Sequence, residues 1–346
     1  MNAPPPVTAV IPVHNRADLL VRLLASMREQ TVAFRETIVL DNGSTDGAAE
    51  VARAAGCRVI AMGANAGFAR AVNRGWQEAG PGWVAVLNSD VELESRWLER
   101  LLAAPEVAAG KAAFATGTIY TMESRGQTAP IVDGTYDLVS RAGCAWRAGH
   151  GSGFEPSAPD ADRTGSRAIA IAPATACLYR RDVLEQLGGF DESYGSYLED
   201  VDLGLRCVEA GLGGVWVPDA VAWHKGSATF GRWDARVVRL TSRNQLRLIG
   251  RHYDGALLRS CLRAIFAGQM LWGLVAMRHG AGLAWLRGKL DGLAEFRPQG
   301  APSARLREFL GDSEREIEAR APGAYWRWYF RLAGRPRGNS AGTGAV

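Results

Sequence analysis

Three short stretches of this sequence hold side chains able to do chemistry in water. They are Asn88-Ser89-Asp90, Glu199-Asp200-Val201-Asp202, and His224 within Trp223-His224-Lys225-Gly226-Ser227. A carboxylate such as Asp90 can hold a divalent cation against a diphosphate, because magnesium and manganese take oxygen ligands and commonly bind through one or two carboxylates plus substrate phosphates. Taken alone, an Asp after a strand is more often a turn residue or a helix cap. Three carboxylates within four residues repel one another, and a helix N-terminus offsets part of that repulsion through its dipole. The chemical alternative is a general base that takes the proton from an attacking hydroxyl. A lone histidine is usually structural, but at the edge of a site His224 can ligate a metal.

The elements that must position these groups are readable upstream. Residues 7–11 form an apolar run closed by Pro12, which reads as a buried strand. Leu19, Leu20, Leu23, Leu24 and Met27 recur at helical spacing after Asp18. Residues 37–40 are a second strand leading into Asp41-Asn42-Gly43-Ser44-Thr45-Asp46-Gly47, a polar turn in which Ser44, Thr45 or Asp46 can cap the next helix. That helix stops at Gly56. Residues 58–61 read as a third strand, 66–79 as a helix, and 83–87 as a fourth strand running into Asn88. Strands alternating with helices require right-handed crossovers and a mostly parallel sheet, whose ligands bind beyond the C-terminal strand ends. The loops there carry His14, Asn15, Asp41 to Asp46, Asn65 and Asn88 to Asp90, so topology gathers polar residues along one edge. Neither GxGxxG after the first strand nor GxxxxGKS/T is present, so a diphosphate needs another holder, and a carboxylate-bound divalent metal supplies one.

Residues 111–167 are rich in Gly and Ser, hold no long periodic segment, and read as short strands and loops over the sheet edge. Then come an apolar run over 168–179, a short helix at 181–187, a helix over 199–210 stopped by Gly211, and a strand at 215–217 before Pro218. From Trp233 the chain reads as helical and basic, with residues 335–346 a frayed tail. Apolar residues at 47% and charged residues at 22% are the balance of a globular protein. A net charge of +4 suits an anionic small ligand or contact with an acidic membrane surface, and gives no case for nucleic acid. The five scattered cysteines, without a CxxC pair, read as reduced cytoplasmic thiols, and the N-terminus lacks the features of a secretory signal. Residues 264–277 are the longest uncharged apolar stretch. They are too few for a span of roughly 20 residues and read first as a buried helix, second as a helix lying on a membrane.

Together these features resemble family-2 glycosyltransferases over roughly residues 7 to 250. The resemblance rests on Val10-Ile11-Pro12-Val13-His14-Asn15-Arg16, Val39-Leu40 with the Asp41 to Gly47 turn, Asn65-Ala66-Gly67-Phe68-Ala69 with Asn73-Arg74-Gly75, and Leu87-Asn88-Ser89-Asp90-Val91-Glu92-Leu93. Gly188-Gly189-Phe190-Asp191-Glu192, Tyr197-Leu198-Glu199-Asp200-Val201-Asp202-Leu203, Arg206, Gly211, Pro218, Ala220 and His224 resemble the acceptor half. The Asn-Ser-Asp form and the Gly-Phe-Ala segment are most similar to the rhamnosyltransferase-like branch. The resemblance implies an α/β GT-A fold, Rossmann-like with a mostly parallel sheet flanked by helices, and an inverting displacement assisted by Mg2+ or Mn2+. Residues 1–110 would be its nucleotide-sugar half, 111–232 its acceptor half, and 233–346 a helical extension.

By the same carry-over, Asp41 contacts the nucleotide base, and Pro12, His14 and Asn15 line that pocket. Asn42, Asn65, Gly67, Arg70, Asn88 and Ser89 complete the donor side. Asp90 holds the metal with His224 near the diphosphate, and Asp200 is the catalytic base beside Glu199. Three positions depart from the pattern: Asn88 replaces the first Asp of the DxD signature, His14 stands where an aromatic is common, and Arg70 lies two residues before the position where the family often carries an Arg. A dTDP-rhamnose donor is the first expectation and a UDP-sugar the second, with a glycan or lipid-linked acceptor of the cell surface. The enzyme would work in the cytoplasm, with peripheral contact at the inner membrane face as the alternative to packing for the Trp- and Arg-rich C-terminal helices. A sugar nucleotidyltransferase would need a Gly-rich basic loop after the first strand, and a processive synthase would need spanning helices and a QxxRW motif. A catalytically silent scaffold of the same fold is the rival from another class.

Overall fold

The computed structural model describes residues 5–152, 165–226, 233–321 and 323–334. They fall into two compact units, one of residues 5–137, 147–152 and 165–226, the other of residues 138–146 and 233 onward.

The first unit begins with β1 (Val7–Val13), α1 (Ala17–Arg28), β2 (Glu36–Asp41), α2 (Ala48–Ala54), β3 (Arg58–Ala61), α3 (Phe68–Glu78) and β4 (Trp83–Leu87). These four strands pair in parallel in the order β4-β1-β2-β3, the doubly wound pattern expected from the alternation of strand and helix. In β1 both faces are covered, which is why its sequence is a continuous apolar run and not an alternation. The helix α1 buries Leu19, Leu20, Leu23, Leu24 and Met27 along one face. Each fully buried leucine of that row contributes about 1.5–3 kcal/mol over an exposed one. The helix α3 lies directly on the sheet at Gly75, where an added Cβ would stand 2.4 Å from Val10 Cγ1 and 2.7 Å from Leu40 Cδ2.

The chain continues through β5 (Val91–Leu93), α4 (Trp97–Ala103), α5 (Pro105–Ala108), β6 (Phe114–Thr121), β7 (Val132–Gly134), β8 (Asp137–Val139), β9 (Ala145–Arg147), β10 (Arg167–Ile169), β11 (Ala176–Arg180), α6 (Arg181–Leu187), α7 (Glu199–Ala210) and β12 (Gly214–His224). The sheet grows outward as β10-β12-β6-β11-β4, with β11 antiparallel to both neighbours, β7 added at β6 and β5 at β12. Two elements differ from the expectation. Residues 111–167 contain an eight-residue central strand, β6, which shows no period because nearly every side chain is buried on both faces. And the strand expected at 215–217 does not stop at Pro218. It runs on to His224, with the register shifting between Trp216 and Val221 to absorb the proline.

The second unit is helical: α8 (Ala235–His252), α9 (Gly255–Arg278), α10 (Gly282–Ala294), α11 (Ala304–Arg320) and α12 (Ala324–Ala333). Asp234, Asp254 and Ser303 cap α8, α9 and α11 by accepting backbone N–H groups of the first turn. The segment 138–146 joins this unit: Val139 N donates to Ser313 Oγ at 2.7 Å, and Gln269 Nε2 donates to Ala142 O at 2.7 Å. The apolar stretch 264–277 is part of a longer, 24-residue helix and is not buried as expected. One face of α9 packs through Cys261, Ala264, Ala267 and Gly268, while Phe266 on the opposite face is 70% exposed. The expected tail at 335–346 lies outside the described residues.

Candidate active site

The loops after β1, β2 and β3 are tied to one another by short polar side chains. Asn15 N donates to Ser44 Oγ at 2.9 Å, Thr45 N to Asn15 Oδ1 at 2.9 Å, and Ala17 N to Asp46 Oδ2 at 2.7 Å. Asp41, the last residue of β2, accepts from Ser44 N at 2.9 Å. The buried Asn42 bridges further: its Oδ1 accepts from Ala66 N at 3.0 Å, and its Nδ2 donates to Gly67 O at 3.2 Å. His14 Nδ1 lies 3.0 Å from Asn42 O, and Asn65 Oδ1 accepts from Gly67 N at 3.1 Å. Thus His14, Asn15, Asp41, Asn42, Asn65 and Gly67 do meet along one edge, beside the half-buried Pro12. Asn15 and Asn42 spend their side-chain hydrogen bonds on the loop framework itself. Asp46, a candidate cap from sequence, accepts from Ala48 N at 3.2 Å, while Gly47 with φ 89° occupies the cap position of α2. Gly67 needs its φ of 88°, and a Cβ there would stand 3.0 Å from Gly195 O. Arg70 is not part of this edge network. Its Nε lies 3.7 Å from Glu192 Oε2, at the rim of an open groove of about 400 Å³ lined by Met62, Arg74 and Gln77.

A second group forms where β4 ends. Asn88 N donates to Thr175 O at 2.9 Å, and Asn88, Ser89 and Asp90 make a half-buried turn into β5. Because β5 pairs antiparallel with β12, Val91 sits opposite His224, and the next residue back, Asp90, faces the imidazole. Asp90 Oδ1 lies 3.2 Å from His224 Nε2, and Asp133 Oδ2 lies 2.8 Å from His224 Nδ1. Burial alone would lower the His224 pKa. The hydrogen bonds and charges of Asp133 and Asp90 outweigh it and raise the imidazole to about 9. Burial likewise pushes Asp133 up, but the His224 hydrogen bond and the nearby Arg147 charge bring it down to about 2. His150 adds a contact, its Nδ1 2.8 Å from Asp133 O.

Arg147 extends the chain of charge. Its Nε donates to Asp137 Oδ1 at 3.2 Å and its Nη2 lies 3.9 Å from Asp200 Oδ2, so one guanidinium serves Asp137, Asp133 and Asp200. Gly134 makes room for it: a Cβ there would be 2.0 Å from Arg147 Cδ. Asp133, Arg147 and Asp137 escaped the sequence reading because Asp133-Gly134 looks like a turn pair inside a stretch without period. The glycine was the one signal available, and it marks a strand crossed closely by a side chain.

The carboxylates at the start of α7 separate into three roles. Asp202, fully buried, accepts from Arg206 Nε at 2.8 Å, while Arg206 also donates to Leu187 O at 2.7 Å and Gly189 O at 2.8 Å, pinning the Gly188-Gly189-Phe190 turn. Glu199 is buried too, and its Oε2 finds no hydrogen-bond partner among the described residues. Burial first, and the charge of Asp200 second, hold its carboxyl well above the ordinary carboxylate range. Asp200 is the half-buried one, accepting from Ala174 N at 3.2 Å and from its own helix at Val201 N, 2.9 Å away. Tyr197 and Leu198, just before it, both have positive φ, as do Asn15 and Arg16 before α1. These are the only described non-glycine residues in that conformation. Each costs on the order of 1–3 kcal/mol, and such strain concentrates at functional turns.

A divalent ion of 2.0–2.1 Å bond length places neighbouring octahedral ligands about 3 Å apart. The 3.2 Å between Asp90 Oδ1 and His224 Nε2 fits two such ligands, and no group of three or more candidate protein ligands occurs among the described residues. That donor set suits an ion completed by phosphate oxygens and water.

The family model described as "Glycosyl transferase family 2" matches residues 8–188, which hold β1 through α6 and the Asn88 to Asp90 turn. The chain belongs to glycosyltransferase family 2. The transferase is 31% identical over 255 residues to the N-acetylglucosaminyl-diphospho-decaprenol L-rhamnosyltransferase of Mycobacterium tuberculosis, an alignment covering 65% of this chain and 79% of that one. It is 28% identical over 330 residues to the pre-mycofactocin glycosyltransferase of the same organism, covering 94% of this chain and 63% of the relative. Among solved structures the transferase is similar to GalNAc-T7 crystallised with UDP, GalNAc and Mn2+, with a TM-score of 0.61 and 14% identity over 96% of this chain and 57% of that one. The mannosyltransferase PcManGT from Pyrobaculum calidifontis, in complex with GDP-Man and Mn2+, gives a TM-score of 0.51 at 17% identity, covering 96% and 85%. The fold is therefore GT-A-like, with a helical C-terminal region.

Proposed function

We propose that this glycosyltransferase transfers a sugar, with inversion, from a nucleoside diphosphate donor to a hydroxyl of a lipid-linked acceptor. The observation that carries the reading is the charge chain Asp90–His224–Asp133–Arg147–Asp200, joined between Asp133 and Arg147 by charge without a direct contact, in which carboxylates outnumber the cations that neutralise them. Asp200, held by the Ala174 amide and left half-buried, takes the proton as the acceptor oxygen attacks the anomeric carbon. The bond from that carbon to the phosphate oxygen breaks, and the nucleoside diphosphate leaves with the electron pair. One displacement inverts the centre. Asp90 and His224 would hold a divalent cation, the imidazole giving up its Nε2 proton on binding, and the cation would supply Lewis-acid stabilisation of the leaving diphosphate. Asp133 fixes the orientation of His224 from its far side, as partners of metal-binding histidines do. The edge formed by Pro12, His14, Asn15, Asp41 and Asn65 receives the nucleotide.

The mycobacterial relative, by its name, transfers L-rhamnosyl to a diphospho-decaprenol lipid, which supports a rhamnosyl donor and a polyprenyl-diphosphate acceptor here. dTDP-rhamnose is the first donor to test and UDP-sugars the second. Thermal shift with nucleoside diphosphates and their sugars, with and without manganese, tests the donor end, since a ligand of the native state stabilises it by RT ln(1 + [L]/Kd). A manganese-dependent rise in Tm that Asp90→Ala abolishes is the expected result. No shift with any nucleotide at millimolar concentration overturns the assignment.

A further inference from the structure

Outside the site, α9 and α10 form a helical hairpin. Lys289 Nζ donates to Gln269 Oε1, and Gly273 lies under Trp285, where a Cβ would be 2.6 Å from the indole. These two pairs fix the arms as antiparallel neighbours. Each arm carries an exposed apolar row at helical spacing. On α9 it is Leu262, Phe266, Met270, Leu274 and Met277; on α10 it is Leu283, Leu286, Leu290 and Leu293. Leu283 is 73% exposed, more than any other large apolar side chain described. Scattered exposed leucines need no explanation, but two continuous rows on adjacent helices do.

Charge identifies what covers them. Residues 233–346 hold nineteen Lys and Arg against nine Asp and Glu, while residues 1–232 hold 21 against 27. The hairpin itself, residues 255–294, has four exposed arginines beside the buried Lys289 and a single acid, Asp291, which is paired with Arg239 at 2.6 Å. Arg259 and Arg278 stand near the two ends of the α9 row, and Arg287 sits beside Leu283, Leu286 and Leu290 on α10. Long basic side chains at the border of an apolar strip reach outward to anionic headgroups while their stems stay on the strip. A symmetric contact with a second copy would instead bring the same positive rims together.

We propose that the α9–α10 hairpin docks the protein on an anionic lipid bilayer, lying in the plane of the interface. It does not span: α9 is long and apolar enough by length and composition, but its other face is packed inside the helical unit. The inference rests on exposure and charge, independently of the transferase reading.

Flotation of the full-length protein with vesicles of phosphatidylcholine, alone and mixed with phosphatidylglycerol, tests it. Expected is binding to the anionic vesicles that weakens with salt, and a loss of about tenfold or more in partitioning for the Phe266→Glu, Leu283→Glu double variant. Because both side chains are exposed, the variant should keep its Tm; the milder Phe266→Gln, Leu283→Gln pair serves if it does not. Arg278→Gln with Arg287→Gln should remove much of the preference for phosphatidylglycerol. Failure to float with any vesicle at low salt overturns the proposal. So does a sedimentation dimer that the same Glu variant dissociates, which would assign the face to a second copy. Nucleotide-induced thermal shifts should persist in every one of these variants, so loss of docking and loss of the donor site read out separately.

Discussion

The two halves of the candidate site are held together by opposite means. Along the β1–β3 edge, almost every polar side chain is satisfied by a backbone group of a neighbouring loop, and charge plays little part. Around Asp90 and Asp200, three carboxylates share one guanidinium, two carboxylates share one imidazole, and Glu199 keeps an oxygen without a partner among the described residues. The first half is over-determined in geometry and the second is under-neutralised in charge. A nucleotide needs a preformed edge, whereas a diphosphate with its cation, and a proton in transfer, need charge that the protein alone leaves unbalanced. Substitutions should therefore act on stability in the first half and on chemistry in the second.

The strongest test is Asp200→Asn. It keeps the shape and the bond from Ala174 N but removes the proposed base, so transfer should fall by about 10²–10⁴ while Tm stays within a few degrees. Transfer that survives at near wild-type rate would move the base elsewhere, Glu199 being the nearest candidate. Asp133→Asn comes next. It leaves Asp90 and His224 in place but removes the negative charge behind the imidazole. Manganese affinity, read by titration in the presence of a nucleoside diphosphate, should weaken about 10–100-fold. An unchanged affinity would show that His224 takes no part in holding the ion.

Much of this contrast was legible in the sequence, and the limits are physical. The preformed edge was legible because its residues end strands of a regular α/β alternation, and turn chemistry announces itself through Asp, Asn, Gly and Ser. Asp90, Asp200 and His224 stood out as isolated chemistry beside elements of definite period. Asp133, Arg147 and Asp137 did not, since they lie on strands of three residues, too short to carry a period, and are brought to the site by pairing across β6 and β9. The helix α9 was misjudged for a related reason. Composition gives the apolar content of a segment, but Phe266 and Ala267 differ in burial only because the helix turns one of them away from its neighbours.

Asn42→Ala probes the over-determined half at lower amplitude. Removing the amide leaves Ala66 N without its acceptor and Gly67 O with Ala71 N alone, which should cost about 1–3 kcal/mol in urea unfolding. Nucleotide binding should weaken through loosening of the loop. A loss of nucleotide binding with no loss of stability would instead make Asn42 a direct ligand contact, and the two halves would no longer differ in kind.

The smallest effect comes from a buried cation that resembles neither half. Lys289 of α10 donates to Ser242 O at 2.8 Å, to Gln245 Oε1 at 2.9 Å and to Gln269 Oε1, with no carboxylate among those partners. Burial draws its pKa down to about 7, against about 10.4 in an unfolded chain. Below pH 7 both states carry the proton and stability does not depend on it. Above pH 7 the folded state gives up the proton first, the unfolded state binds more protons, and stability rises with pH until about 10.4. Between pH 7 and 8 the gain should be about 1 kcal/mol. Lys289→Met removes the ammonium and should flatten that slope, measured as the difference in urea midpoint between the two pH values. A slope that survives the substitution would assign it to another group and leave Lys289 charged within its cage of three oxygens. The under-neutralised charge around Asp90 and Asp200 would then not be unusual for this protein, and charge balance would lose its force as a marker of the candidate site.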